Sequence, residues 1–589
     1  MEKTLRPLQR LFRLLELDKK DIIYIYVYAV FAGLITLSLP LGVQAIIGLI
    51  AGGDISASLI ILILIVTVAT AVSGILKIMQ LTVSETIQRR IFTRSAFDFA
   101  YRVPRLRLEH LTGEYPPELV NRFFDTLNLQ KGLPKILMDF STAILQIIFS
   151  LILISFYHPF FVFFGIALMF IIFLIIRFTG PGGLETSLKE SKYKYKVVYW
   201  LEEVARAMST FKLAGRTNLP MKKTDGLVCN YLESRKKHFR ILVFQYGNIV
   251  AFKTIVTAGL LALGGYLVIN NQINIGQFVA AEIVVILVMN SVEKLILTME
   301  TIYDVLTALE KLGFVTDLPV EESEGLSFEQ IDSGKGLHIQ TSQLYYTFQD
   351  SQKPALQNIS LDVQPGERLC IAGYNGSGKS TLLKILAGLY TQHEGTVSYN
   401  GFSSGSLDME SLRTHIGDVC PEEDIFKGSI LENVSIGSEG IGVRQVMQSL
   451  RDVGLEPFIE RQPEGIQTQL LPGGMNVSRS VRTRLMVARA IVRQPRMLAV
   501  EGMFRGMETS DRLRFARLLA NRASPWTLIV VSDDPIMASH CDRTIIMRQG
   551  QIVEEGTFDE LMHSEYFKAV FRTPENGALA KSLENLSTK

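Results

Sequence analysis

The apolar positions of this chain follow two rhythms. Up to about residue 300 they form unbroken runs. From about residue 337 they come in short blocks, roughly four to eight residues long, separated by turn-forming residues. Six of the long runs reach the roughly 20 residues that a helix needs to cross a hydrocarbon core. They cover 22–50, 57–81, 137–157, 159–178, 246–270 and 276–299. The third and fourth meet at Tyr157-His158-Pro159 and predict a tight helical hairpin. The stretch "ASLIILILIVTVATAV" has no polar face, whereas a buried helix of a soluble protein nearly always shows one. Pro40 predicts a kink in the first span.

Charge orients these spans. The connections "AGGDIS" and "NNQINI" contain no Lys or Arg. One long connection holds Arg89, Arg90, Arg94, Arg102, Arg105 and Arg107, and the other holds Lys189, Lys192, Lys194 and Lys196. Positive residues stay on the cytoplasmic side. Both long loops and both termini are therefore expected in the cytoplasm, with the chain crossing the inner (plasma) membrane. Residues 1–20 place Leu5, Leu8, Leu11, Phe12 and Leu15 at helical spacing among Arg6, Arg10 and Arg13. That pattern suits an amphipathic helix on the lipid surface, or an ordinary packed helix equally well. A cleavable signal is not expected there.

The formal net charge is only +2, so no basic field suggests nucleic acid as a partner. Cys229, Cys370, Cys420 and Cys541 have no metal-ligand spacing and give no reason to expect a disulfide. The expected organisation is a surface helix at 1–20, a six-span transmembrane domain at 21–312 and a polar, acidic linker at 313–336. An α/β domain at 337–572 and an exposed tail at 573–589 follow. Helical periodicity continues through both long loops, which should extend far into the cytoplasm and turn back. The first should turn at Gly113, Pro116 and Pro117.

The clearest chemical signal is "RLCIAGYNGSGKSTLLKIL". An apolar strand runs into Gly373-Tyr374-Asn375-Gly376-Ser377-Gly378-Lys379-Ser380-Thr381, and a helix follows. This is the P-loop pattern in its required strand–loop–helix setting. Gly376 and Gly378 let backbone N–H groups close round phosphate oxygens, and the helix start adds partial positive charge. Lys379 suits the β- and γ-phosphates, and the Ser380 hydroxyl suits magnesium. ATP and Mg2+ are the expected ligands. Upstream, Phe348 is the best-placed ring to stack on an adenine, with Tyr346 next. The bland alternative is a core aromatic strand.

Six spans, long cytoplasmic loops and an intact P-loop resemble an ABC exporter half-transporter over nearly the whole chain. The stretch "GGYLVINNQINIGQFVAAEI" is similar to haemolysin-type secretion exporters, and their peptidase-like N-terminal domain is not expected in this chain. "LTGEYPPELVNRFFD" and "EEVARAMSTFKLAG" fit the family's two coupling helices. "DIFKGSILENVSIG" and "PEGIQTQLLPGGMNVS" fit segments flanking its helical subdomain. The resemblance implies peptide or protein export and a dimer, either a homodimer or a heterodimer with a second half-transporter. A membrane-fusion adaptor is a further implied partner.

Against that family pattern the chain departs at five places. Pro421 stands where the family has a Gln. Val477-Ser478-Arg479-Ser480-Val481 replaces the signature Leu-Ser-Gly-Gly-Gln, and Pro472 to Gly474 match only the preceding Gly pair. Glu501 replaces the magnesium-binding Asp, where a longer carboxylate still suits the ion. Gly502 replaces the catalytic Glu, so no side chain remains there to orient water. Asp533 replaces the switch His. Its use as a substitute base is opposed by its place past the other strand end and by like-charge repulsion with phosphate. Because the family's sites combine the P-loop of one chain with the signature of another, this chain is defective on both sides. The expected function is an ABC-type exporter half that binds ATP and hydrolyses it poorly. The alternatives are a non-catalytic nucleotide-gated regulator, channel or scaffold in a secretion assembly, and an ordinary active exporter with a tolerant site. Glu282 is the one acid well inside a span and a default candidate for the pathway. Lys77, Lys253, Glu293 and Lys294 fall near the inner edge, where snorkelling or pairing explains them.

Overall fold

The computed structural model describes residues 7–51, 57–111, 116–156, 160–321, 324–332, 334, 336–349, 351–419, 425–504 and 506–571. Across the whole fourth span and on to residue 181 most side chains also lie outside that description. The chain divides into two compact units. One comprises residues 1–105 and 114–318, and the other comprises 106–113 and 319–589.

The first unit is all helical. Its helices are α1 (Pro7–Leu17), α2 (Lys19–Thr36), α3 (Ser38–Ala51), α4 (Ala57–Arg102), α5 (Pro116–Asn121), α6 (Asp125–Ser155), α7 (Phe160–Arg206), α8 (Met208–Leu213), α9 (Leu219–Ile269) and α10 (Ile275–Thr316). Among the described residues, five helical stretches are long and apolar enough to cross a membrane. The remaining predicted span, the fourth, falls on the start of α7, which is helical from Phe160. α4, α7 and α9 contain 46, 47 and 51 residues. At 1.5 Å per residue each runs roughly 70 Å or more, over twice the hydrocarbon thickness, so each carries a long polar extension.

The first span breaks at Leu37, between α2 and α3. Pro40 lacks the N–H that would have bonded the Thr36 carbonyl, so the ladder cannot run through. α10 begins with a reciprocal cap, in which Asn274 accepts from the Gln277 N–H and the Gln277 side chain accepts from the Asn274 N–H. Its core face, including Val284, Val288 and Leu295, packs with Ile147 of α6 and Ile249 and Val256 of α9. Lys253 pairs with Glu293 at 2.5 Å and Lys294 with Asp139 at 2.8 Å, so these charges are neutralised between helices. Glu282 is half-buried on α10 and makes no ion pair among the described residues. On α1, Arg10 forks onto Asp317 at 2.9 and 2.5 Å while Leu8, Phe12 and Leu17 stay exposed. One face is thus docked and the apolar face is free for lipid. α7 breaks at Ala207 into the short α8, where Leu213 is 89% exposed.

The second unit is α/β. Its strands are β1 (Ile339–Tyr346), β2 (Leu356–Val363), β3 (Arg368–Gly373), β4 (Glu394–Tyr399), β5 (Phe402–Ser403), β6 (Ile416–Val419), β7 (Gly428–Ser429), β8 (Gln469–Leu470), β9 (Met497–Glu501), β10 (Thr527–Val531), β11 (Arg543–Arg548) and β12 (Gln551–Gly556). Six form a sheet in the order β12-β11-β3-β10-β9-β6, parallel except for the antiparallel edge strand β12. Leu369 to Ala372, Leu498 to Val500 and Leu528 to Val530 are wholly buried, as central parallel strands covered on both faces must be. β2-β1-β4-β5 make a second, antiparallel sheet. The helices are α11 (Lys379–Leu386), α12 (Met409–Thr414), α13 (Ile430–Ser435), α14 (Val443–Asp452), α15 (Glu456–Glu460), α16 (Arg479–Ile491), α17 (Thr509–Leu519), α18 (Pro535–Ser539), α19 (Phe558–Leu561) and α20 (Glu565–Val570).

The unit takes in more chain than 337–572. The stretch read as linker contributes Phe328, 1% exposed and stacked on His415 with ring centres 4.4 Å apart. Asp332 from the same stretch pairs with Arg496 at 2.9 Å. Residues 106–113 also belong to this unit. Leu106 bridges to Val320, and the buried Glu109 carboxylate accepts the Thr391 and Gln392 N–H groups, the latter at 3.1 Å. Gly113, one of the expected turn residues, lies outside the described residues. Pro116 and Pro117 open α5.

Candidate phosphate-binding site

β3 ends the apolar run at Gly373, and α11 begins at Lys379. Between them the backbone turns through positive φ at Gly376 (78°) and Gly378 (98°). A Cβ at Gly378 would meet the Ala355 carbonyl oxygen at 2.5 Å, so only glycine fits there. No side chain caps α11, which leaves its first N–H groups for an anion. Lys379 folds back over the loop, and its Nζ donates to the carbonyls of Gly373 (2.8 Å) and Tyr374 (2.7 Å). Asn375 and Gly376 are exposed, Thr381 is half-buried and Ser377 is buried beneath the loop.

β9 lies one strand beyond β10, with Glu501 level with Val531. That register carries the Glu501 carboxylate to the start of α11, where the Ser380 hydroxyl donates to its Oε1. Two hard oxygen donors distant in sequence therefore meet beside the loop, a donor set that fits Mg2+. Gly502 follows directly at φ 65°, a backbone turned into the left-handed region.

The aromatic candidates separate. Tyr346 is 4% exposed and stacks on Tyr390 at 5.4 Å, so it belongs to the core. Phe348 is half-buried and meets Tyr346 and Tyr390 edge-on at 5.0 and 6.1 Å, which leaves it at the outside of the cluster.

Ser478 caps α16, its side chain accepting from the Val481 N–H, and Arg479 is the exposed first residue of that helix. Asp533 is exposed just beyond β10. Its neighbour Asp534 is 8% exposed, caps α18 and pairs with Arg512 at 2.9 Å, a structural assignment. Pro421 lies outside the described residues. Cys370 and Cys541 were distant in sequence, yet their thiols are neighbours. Hydrogen bonding to Cys370, together with burial, pushes the Cys541 thiol well up from its ordinary range.

A bundle of membrane-crossing helices followed by a P-loop α/β unit defines a multi-pass membrane protein carrying a nucleotide-binding domain. The ABC transporter transmembrane region matches residues 22–292, and the ABC transporter domain matches residues 356–501. The chain belongs to the ABC transporter family, with one transmembrane region and one nucleotide-binding domain. It is 27% identical over 367 residues to the alpha-hemolysin translocation ATP-binding protein HlyB of Escherichia coli O157:H7, covering 62% of this chain and 51% of that protein. It is 28% identical over 345 residues to the leukotoxin translocation ATP-binding protein LktB of Mannheimia haemolytica, covering 58% and 48%. The chain thus spans about half the length of the curated relatives it matches. In fold it is similar to a bacterial Atm1-family ABC exporter solved with ATP bound, with a TM-score of 0.83 at 17% identity, covering 95% of this chain and 99% of that one.

Proposed function

We propose that this chain is the ATP-binding half of a dimeric exporter of the haemolysin type, and that its own residues hydrolyse ATP poorly or not at all. It sits in the inner membrane with both termini cytoplasmic. Its partner is a second copy or a second half-transporter, and a membrane-fusion adaptor is a further partner. The relatives' roles in hemolysin and leukotoxin translocation support a peptide or protein substrate.

The observation that carries the reading is the pairing of Ser380 with Glu501 immediately before Gly502. Gly373, Asn375, Gly376, Ser377, Gly378, Lys379, Ser380 and Thr381 would cradle the phosphates, and Phe348 would stack on the adenine. Mg2+, held by Ser380 and Glu501, would neutralise phosphate charge. The residue that would position water or take its proton is Gly502, which has no side chain to do either. General-base catalysis is worth about 10²- to 10⁴-fold, so the chain alone should turn over slowly at most.

The test is steady-state ATP hydrolysis by the purified chain in lipid, with Lys379→Ala as the control. Binding of a fluorescent ATP analogue that Lys379→Ala abolishes, without turnover, is expected. Sustained turnover lost in Lys379→Ala would refute poor hydrolysis and make Asp533→Ala the next variant to measure. Hydrolysis by a co-expressed second half-transporter only in the presence of this chain would support the partnered form.

A further inference from the structure

α1 and the first turn of α2 carry a charge imbalance that appears only in the fold. In sequence, residues 7–21 look nearly balanced, with Arg10, Arg13, Lys19 and Lys20 against Glu16, Asp18 and Asp21. The helices packed against them redistribute those charges. Arg10 crosses α10 at Gly313, where a Cβ would collide with its guanidinium, and forks onto Asp317 at the C-terminal cap of that helix. Asp18 is 3% exposed and is held from α4 by Arg94 at 2.8 Å and Arg90 at 3.4 Å. Arg90 also pairs with Asp21. Arg13, Lys19 and Lys20 are left exposed, with no ion pair among the described residues, against the single exposed acid Glu16. Residues 1–6, outside the described part, add Glu2, Lys3 and Arg6.

The same surface is apolar. Leu8 and Phe12, one turn apart, and Leu17 are exposed on α1, and Arg13 follows Phe12 on that side. An ordinary solvated face would carry polar residues there. One turn into α2, Tyr24 and Tyr26 are also exposed, the residue type that settles at headgroup level. Lys19 and Lys20 thus stand at the edge of the first span. We propose that α1 and the start of α2 form a binding site for an anionic phospholipid, in the inner leaflet under the orientation proposed above. Leu8, Phe12 and Leu17 lie among the upper acyl chains. Arg13, Lys19 and Lys20 meet a headgroup whose phosphate charge no choline or amine cancels. The charge selects the occupant: an apolar face alone accepts any lipid, whereas each unpaired cation at the surface favours an anionic one by up to about fivefold. The Arg10 clamp presents the face ready-made, so the helix need not order on arrival as a free amphipathic peptide must.

The test places a reporter in the apolar face. The full chain carrying Phe12→Trp is reconstituted into phosphatidylcholine nanodiscs with a minor share of lipid brominated high on its acyl chains, either phosphatidylglycerol or phosphatidylcholine. The chain without Phe12→Trp gives the background from Trp200 and Trp526. Both lipids should quench the added indole, and at low salt brominated phosphatidylglycerol should be several times more effective. Arg13→Gln, Lys19→Gln and Lys20→Gln should each cut that preference by up to about fivefold. Salt of about 1 M, where the screening length is about 3 Å, should erase it. Leu8→Trp repeats the measurement should Phe12→Trp fail to fold. Equal quenching by the two lipids at low salt, or a preference that survives all three Gln substitutions together, overturns the proposal. So does an indole that neither lipid quenches. A nanodisc offers the same lipids on both faces, so none of these outcomes depends on the sidedness of the chain, which cysteine labelling tests separately.

Discussion

Restoring a carboxylate at position 502 is the obvious way to try to revive hydrolysis, and the backbone opposes it. Gly502 sits at φ 65°. A residue with a Cβ pays about 1–2 kcal/mol to hold that conformation. For a domain of this size, 1 kcal/mol lowers the midpoint of thermal unfolding by roughly 2–4 °C, so Gly502→Glu should lower it by roughly 2–8 °C. Gly502→Ala should show a similar loss, because the cost lies in the Cβ and not in the charge. Trp526, 6% exposed within the α/β unit, reports the transition by fluorescence once Trp200 is replaced by Phe. ATP hydrolysis by Gly502→Glu should stay near background, since a strained backbone does not hold the new carboxylate in line and Arg479 and Asp533 remain. Unchanged melting of both variants would refute the strain argument. Turnover by Gly502→Glu that Lys379→Ala removes would refute the claim that one residue is not enough.

Three other outcomes are expected. Single cysteines at positions 53 and 272 should react with an impermeant maleimide from outside intact cells and one at 194 should not; the reverse pattern overturns the orientation. In a Cys420→Ser background, Cys229, which is exposed, should alkylate in the folded protein while Cys370 and Cys541 stay silent. With its pKa raised in the fold, the Cys541 thiolate is scarce at neutral pH and becomes available only well above it or on unfolding; rapid labelling of either thiol near pH 7 would contradict the packing. Phe328→Ala should destabilise the α/β unit by about 3–5 kcal/mol, the usual cost of deleting a buried phenyl ring, whereas a linker residue would show almost none in a denaturant titration.

The sequence displays what is local. The P-loop is legible because its strand, glycines, lysine and helix are contiguous, and the departure at Gly502 is legible because β9 is an unmistakable apolar strand. The spans are legible because nothing but lipid accommodates such unrelieved apolar runs. What stays hidden depends on register and chain return. The meeting of Ser380 with Glu501 is set by strand order, and the neighbouring thiols of Cys370 and Cys541 by β3 lying beside β11. Phe328 sits in a polar, acidic context that disguises a core residue. Phe348 and Tyr346 looked interchangeable in "LYYTF", and burial separates them.

Glu109 imposes an order of events on the making of this protein. Its carboxylate covers the Thr391 and Gln392 N–H groups, yet those residues emerge from the ribosome some 280 positions later. The α/β unit is therefore not finished by its own contiguous stretch. A fragment beginning at residue 319 would leave those two amides without their carboxylate, at a cost of about 1–3 kcal/mol for each that water does not reach. During synthesis the early loop must wait for its late partner. The closure joins a segment translated early to one that emerges some 280 residues later, before the strands β9 to β12 have been made.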